Sequence, residues 1–236
     1  MSAQSGIETS AARSGGDVTV SPPHGYEARV ERDLPVLLAW LREYIGRPHQ
    51  ALHRKGPVCP FVPAAMNSGA LRVHLRYEIS GKDPDELRET LAGDLLSLPA
   101  TGADQREPAL DSLVVAMPDL VGEGLAALDE AHARLKDVAV ERGLMIGQFH
   151  SACDERSVRN SGFQVSRSPI PVLAVRRMAS HDILFLHDRA HWFAAYRARF
   201  GGHFTDGRIG DPLLLRLFAA AEARHPAAGG PERRVP

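Results

Sequence analysis

The sequence holds two cysteines in 236 residues, Cys59 and Cys153. That is too few for a disulfide framework. No C-x-x-C pair occurs, which removes the usual structural zinc arrangement. Nucleotide fingerprints are missing as well: there is no Walker loop and no G-x-G-x-x-G following a strand. The G-x-S-x-G elbow and the H-E-x-x-H zinc motif are also absent. No run reaches the roughly 18 apolar residues of a membrane span. The opening MSAQSGIETSAARSGG lacks the charged-then-apolar layout of a secretory signal. These absences lead to the expectation of a cytoplasmic protein with reduced thiols and no membrane partner.

An excess of charge of either sign is lacking too. Lys plus Arg number 28 and Asp plus Glu 29, so nothing in the balance favours a polyanion, and no nucleic-acid partner is expected. Lysine itself is scarce: Lys55, Lys82 and Lys136 are the only three, and every other strong base is arginine. Arginine suits fixed pairing with carboxylates or phosphates, although codon bias also produces such a ratio.

A hydrophobic share of 44% is ordinary for a globular chain. Residues 1–25 are rich in Ser, Gly, Ala and Pro without a periodic apolar face, and read as a disordered N-terminal tail. Residues 26–224 read as a single domain, and 225–236 (HPAAGGPERRVP) as a second tail. The spacing predicts a first helix after Asp33, with Leu34, Leu37, Leu38, Leu41 and Ile45 as its stripe and Gly46 as its stop. Three prolines in residues 56–65 (GPVCPFVPAA) predict a rigid irregular segment rather than a helix or central strand. Residues 71–79 alternate as a half-buried strand. Asp83-Pro84-Asp85-Glu86 opens a helix with cap, N1 proline and N3 acid, and Leu87, Leu91, Leu95 and Leu98 form its stripe.

A polar loop is expected over 100–110, then a buried strand from Ser112 to Met117. A long helix follows from Asp119 to about Arg142, with Leu125, Leu128, Leu135 and Val138 inward and Gly143 as its stop. His132 on it reads as a partly buried core residue. Strands are predicted at 144–150 and 170–178, with a further one at 183–186. Helices over about 189–200 and 212–224 close the domain, and Trp192 and Tyr196 read as core. The expected fold is therefore α+β (mixed α/β): a sheet of about four or five strands packed with helices.

Four local sequences can carry chemistry. Cys59, braced by Pro57, Pro60 and Pro63, is either a thiolate ligand or nucleophile, or a small buried hydrophobe in a rigid turn. His49 and His53 nearby are either metal or haem ligands or surface groups. His150 stands where a strand runs into a loop, a placement that suits an iron ligand or a general base, and equally a histidine bonded to backbone. His150 and Cys153 together can serve a metal, but two ligands need others from afar. Arg156, Arg159, Asn160 and Arg167 lead toward Arg176 and Arg177. They can grip a carboxylate, or form a solvated basic loop. Arg72, His74 and Arg76 share a strand face and can extend that patch. His181-Asp182 reads as a turn with a capping acid, with a base and its orienting acid as the alternative.

The strings GPVCPFVPAA, GALRVHL, GLMIGQFH and RSPIPVLAVRRM resemble a bacterial domain-of-unknown-function family. Its members share H-P-x-L-G-R-x-G-x-V-C-P-F-V-P, G-x-x-I-G-x-F-H and R-S-P-x-P-x-L-A-I-R blocks. The likeness covers roughly residues 34–200. In the first block His53 stands near the family's L-G-R turn. The order of blocks is also similar to the YqcI/YcgG family, whose members carry P-C-x-F, G-x-L-R-Y and G-x-H-P blocks. Here Ser151 stands where that family has proline after its histidine.

The second resemblance implies a haem-dependent oxygenase hydroxylating the nitrogen of an amino-acid-like amine in a biosynthetic pathway. It implies haem b as cofactor, with Cys59, Phe61, His150, Arg159, Arg167 and Arg176 on or near comparable blocks. A b-type haem needs an axial ligand, an apolar slot and cations for two propionates. His150 is the expected ligand, with His49 or Cys59 as alternates, and Arg159 and Arg167 are the expected cations. Cys59 and His150 are the expected catalytic residues. Two other readings stay open: a haem-free enzyme using His and Cys as acid, base or nucleophile, and a non-catalytic small-ligand-binding domain. A homodimer is compatible with all three.

Overall fold

The computed structural model describes residues 18–21, 23–98 and 110–226. Its centre is a five-stranded mixed sheet built from β1 (Val18–Ser21), β2 (Leu71–Leu75), β3 (Ser112–Ala116), β4 (Leu144–Phe149) and β7 (Val172–Arg177). The order across the sheet is β1-β2-β3-β7-β4. β1, β2 and β3 run parallel, and β7 lies antiparallel between β3 and β4. A hairpin of β5 (Arg156–Ser157) and β6 (Asn160–Gln164) leaves the end of β4 and returns the chain to β7.

Strand parity divides the core. Leu113 and Val115 of β3, Leu144 and Ile146 of β4, and Leu173 and Val175 of β7 face α3 (Pro84–Leu96) and α4 (Gly124–Glu141). Val114, Ala116 and Val172 join Leu71, Val73 and Leu75 on the other face, against α1 (Glu27–Trp40) and α2 (Phe61–Asn67). A third cluster gathers α5 (Ile183–Leu186), α6 (Ala190–Thr205) and α7 (Pro212–Arg224) around Phe193 and Tyr196, with Met145 and Met178 supplied from the sheet side. Among the described residues, no helix is long and apolar enough to cross a membrane.

The strongest local signals held. Asp83 caps α3, its carboxylate accepting from the amides of Asp85 and Glu86 at 3.0 and 3.1 Å. Asp211 caps α7 in the same way, accepting from Leu213 N at 2.8 Å. Leu87, Leu91, Leu95 and Leu98 are all buried, and Gly143 turns the chain after α4 at φ 74°.

Several expectations need correction. Val18–Ser21, inside the stretch read as a tail, pairs with β2 as a sheet strand. Asp33 lies inside α1 rather than capping it, because the helix begins at Glu27. The proline segment is not wholly irregular: α2 begins at Phe61, with Pro60 at its cap. Pro63 then falls in the first turn, where the missing N–H costs nothing. Residues 183–186 form a short helix rather than a strand. Val138 is 41% exposed and Leu125 only half-buried, so the buried stripe of α4 runs through Leu128, Ala131, Leu135 and Ala139 instead. The loop expected at 100–110, apart from Leu110, and most of both tails lie outside the described residues.

Candidate functional site

A cavity of about 460 Å³ opens beside the sheet. Its floor is made by Val114, Met145, Gly147, Phe149, Ala174 and Arg176, which project from β3, β4 and β7. It extends past the outer edge of β4 to reach His132 and Lys136 of α4. The proline segment supplies one wall through Val58, Cys59, Pro60 and Phe61. The hairpin supplies another through Arg156 to Arg159, and Leu184, Phe185 and Leu214 a third. The hairpin is tied down at several points. Asn160 Nδ2 donates to Ala51 O at 2.8 Å, and Phe163 stacks on His49 with ring centres 4.4 Å apart. Trp40 Nε1 and Tyr44 Oη reach over to the carbonyls of Arg167 and Val165, at 2.9 and 3.1 Å.

Within this chamber Phe61 lies between two groups. Its ring stacks on His181, with centres 5.3 Å apart, and the Arg176 guanidinium carbon sits 4.5 Å from its centre. Arg176 forms a forked ion pair with Asp182, at 2.8 and 2.6 Å. Burial alone would discourage the guanidinium's charge. The Asp182 carboxylate outweighs that cost and holds its pKa above the ordinary arginine value. His181 shows the opposite balance: burial pushes its pKa below the usual histidine range, Arg176 and Arg54 push the same way, and Asp182 only partly opposes them. The imidazole is therefore neutral at neutral pH, the form a metal ligand or general base requires.

Arg54 is folded into the proline segment and donates to the carbonyls of Pro57 and Val58, at 2.8 and 2.9 Å. That bracing, with the Cys59 amide donating to Ile45 O at 2.9 Å, fixes where the thiol stands. Arg159 sits at the wall with one nitrogen 3.0 Å from Asp211. His132 and Lys136 are both perturbed chiefly by burial. His132 is pushed down to about 4, with Lys136 adding to the effect, and Lys136 is lowered from the usual lysine value. The Lys136 ammonium lies 4.5 Å from the centre of the Trp192 ring.

The sequence-derived candidates thus separate. Cys59, Phe61, Arg159 and Arg176 meet at the cavity. His150 does not line it. Along β4 it shares the parity of Leu144 and Ile146, and its Nε2 lies 3.0 Å from Asp129 of α4. His49 spends Nδ1 on its own segment, accepting from Ala51 N at 3.2 Å. Arg167 binds the hairpin from outside, donating to Gln164 at 2.7 Å and to the Ser151 carbonyl. Arg72, His74 and Arg76 alternate with the buried Leu71, Val73 and Leu75, and so lie on the α3 side of β2. There His74 Nδ1 stands 2.8 Å, and Arg76 Nε 3.0 Å, from the buried carboxylate of Asp94.

His181 lies in a turn, as its sequence predicts, and the turn also aims it into the chamber beside Phe61. His132 and Lys136 were missed as site residues. Asp129, His132 and Lys136 fall three and four apart on α4, and that polar stripe beside the leucines was the available signal.

Fold and site together define an α+β domain with one mixed sheet and a small-molecule-sized, mainly apolar chamber fringed by cations. Residues 34–209 match the model of a family described as a domain of unknown function, DUF6875, and the chain belongs to that family. No curated protein and no solved structure matches the chain significantly.

Proposed function

We propose that the chamber takes a b-type haem, and that the chain is a haem-dependent oxygenase hydroxylating the nitrogen of an amino-acid-like amine. One observation carries this reading. A single apolar cavity of about 460 Å³ brings together a thiol (Cys59), a neutral imidazole (His181) and the guanidinium of Arg159. Those are the groups a b-type haem asks of its host: an axial donor, an apolar slot and cations for carboxylates. The volume lies within the roughly 300–1,000 Å³ of small-molecule sites.

The roles differ from those first expected. Cys59 and His181 line the chamber and are the donors we assign to iron, whereas His150, His49 and Arg167 stand outside it. Arg159 at the wall, which also holds Asp211 at 3.0 Å, and Lys136 deeper in are the cations we assign to carboxylates, with Arg176 matched to Asp182 and fixing Phe61 from behind. Haem iron supplies oxygen chemistry when bound, and external electrons complete an N-hydroxylation. The chain's own residues exclude water, through Trp40, Phe61, Phe149 and Leu184, and orient the substrate. Glu155 at the rim suits the ammonium of an amino-acid-like amine, and the arginines suit its carboxylate.

The test is an absorption titration of the full chain with haem. A Soret band saturating at one haem per chain, lost in Cys59→Ser or His181→Gln and kept in His150→Gln, is the expected result. A protein that takes up no stoichiometric haem overturns the reading. Thiol and imidazole chemistry at Cys59 and His181, without haem, is then the reading the chamber favours.

A further inference from the structure

We propose that Asp129, His150 and Cys153 form a second site, binding a divalent transition metal of the zinc class. The three residues come from α4, the end of β4 and the turn that follows it. One donor atom from each lies within 4.8 Å of the other two. The set is a carboxylate oxygen, an imidazole nitrogen and a thiol sulfur. Such mixed N, S and O donors suit zinc rather than magnesium or calcium, which take oxygen.

The donors, all within 4.8 Å of one another, need close by no more than about 1 Å. Zinc holds these donors at about 2.0–2.3 Å, so in a tetrahedral site they stand roughly 3.3–3.8 Å apart. The His150 Nε2 to Asp129 Oδ1 separation is already 3.0 Å. The turn is closed by the Cys153 amide donating to the His150 carbonyl at 3.1 Å, and the His150 amide donates to Ser166 O at 3.2 Å. Both ligand-bearing residues are therefore held by backbone before any ion arrives.

Burial supplies an independent indication. His150 and Cys153 are each 1% exposed. His150 turns Nε2 toward Asp129, and its Nδ1, on the other side of the ring, is buried as well. The contact from the Cys153 thiol to the Gln148 carbonyl, at 4.0 Å, is long. A dry imidazole nitrogen and a dry, weakly engaged thiol sit beside a carboxylate whose side chain is 46% exposed. That open side gives the ion a way in and leaves the fourth position to water, as at zinc sites with three protein ligands. None of the three residues lines the cavity, so this site does not depend on the haem reading.

Cobalt(II) is the probe, because its bond to a thiolate gives a near-ultraviolet charge-transfer band that carboxylate and imidazole ligands lack. Full-length Cys59→Ser protein, stripped with chelator, removes the other thiol from the signal. The expected result is a charge-transfer band with tetrahedral visible bands, saturating at one cobalt per chain and displaced by zinc. Cys153→Ser added to that background abolishes the band, and Asp129→Asn weakens the affinity by about ten-fold or more. Absence of the band at saturating cobalt, or its persistence without Cys153, overturns the proposal. The Cys59→Ser protein decides the matter even if a further variant misfolds, and haem uptake is read at a separate wavelength.

Discussion

The guanidinium of Arg176 and the carboxylate of Asp182 form a forked pair at 2.8 and 2.6 Å, with the Asp182 side chain wholly buried. The same carboxylate accepts from Ala179 N at 2.7 Å and so fixes the turn that carries His181. One acid thus holds both groups that flank Phe61. Asp182→Asn leaves a buried cation without its counter-charge, and a loss of about 3–5 kcal/mol is expected. The urea midpoint of unfolding, with an unchanged slope, checks it.

His132 gives the protein a pH dependence. Its folded pKa, about 4, lies below the ordinary histidine value of 6.5. Above pH 6.5 both folded and unfolded states are neutral there, and the group contributes nothing. Between pH 6.5 and 4 the unfolded chain binds the proton and the folded chain does not. Stability therefore falls with falling pH through that window, at up to about 1.4 kcal/mol per pH unit from this group. His132→Gln should flatten that part of the stability–pH curve, measured by denaturant titration at successive pH values.

The two thiols differ in access. Cys59 is partly exposed at the cavity wall, and Cys153 is buried, with its pKa raised chiefly by burial. Mild alkylation of the native protein should modify Cys59 first, and Cys153 only after unfolding. Mass spectrometry of the labelled peptides reads the order. Equal labelling of both would contradict the packing described here.

Gly81 and Gly124 allow α3 and α4 to start side by side. A Cβ at Gly124 would stand 2.5 Å from the Ser80 carbonyl oxygen, and one at Gly81 2.6 Å from the Gly124 Cα. Both obstacles are backbone and cannot swing aside. Gly81 also takes φ +74°, which strains any L side chain. Gly124→Ala should cost about 1–3 kcal/mol, as overpacking does. Gly93→Ala, on α3 with nothing within 4 Å of the added carbon, should instead be neutral or stabilising. Thermal melts of the two variants make the comparison.

Removing the Asp83 cap tests the clearest local signal. Asp83→Ala frees the amides of Asp85 and Glu86, and should cost about 1 kcal/mol. The melting temperature reports it.

Where a local rule had one solution, the sequence was sufficient. The cap, proline and acid at 83–86 admit only a helix start, and the unbroken apolar run at 113–117 sits at the middle of the sheet. The run at Ile183–Leu186 was too short for periodicity to separate strand from helix, and it became a helix turn against α6 and α7. Val18–Ser21 gave no signal strong enough to lift it out of a polar stretch; it is a strand because β2 offers it a free edge.

The site divides along the same line. The chain order alone put a cysteine in a proline-braced turn, a histidine at a strand end and arginines beyond it. Side chains two apart on a strand share a face and neighbours do not. His150 therefore follows Ile146 toward α4 and Asp129, while Arg176 points to the opposite face with Phe61. Which face would hold the cavity depended on where α1, α2 and the β5–β6 hairpin came to rest. That is a matter of packing between segments more than a hundred residues apart, as in the bond from Trp40 to the Arg167 carbonyl. Local sequence sets the backbone and the residue types; only the folded arrangement of distant segments decides which of those residues meet.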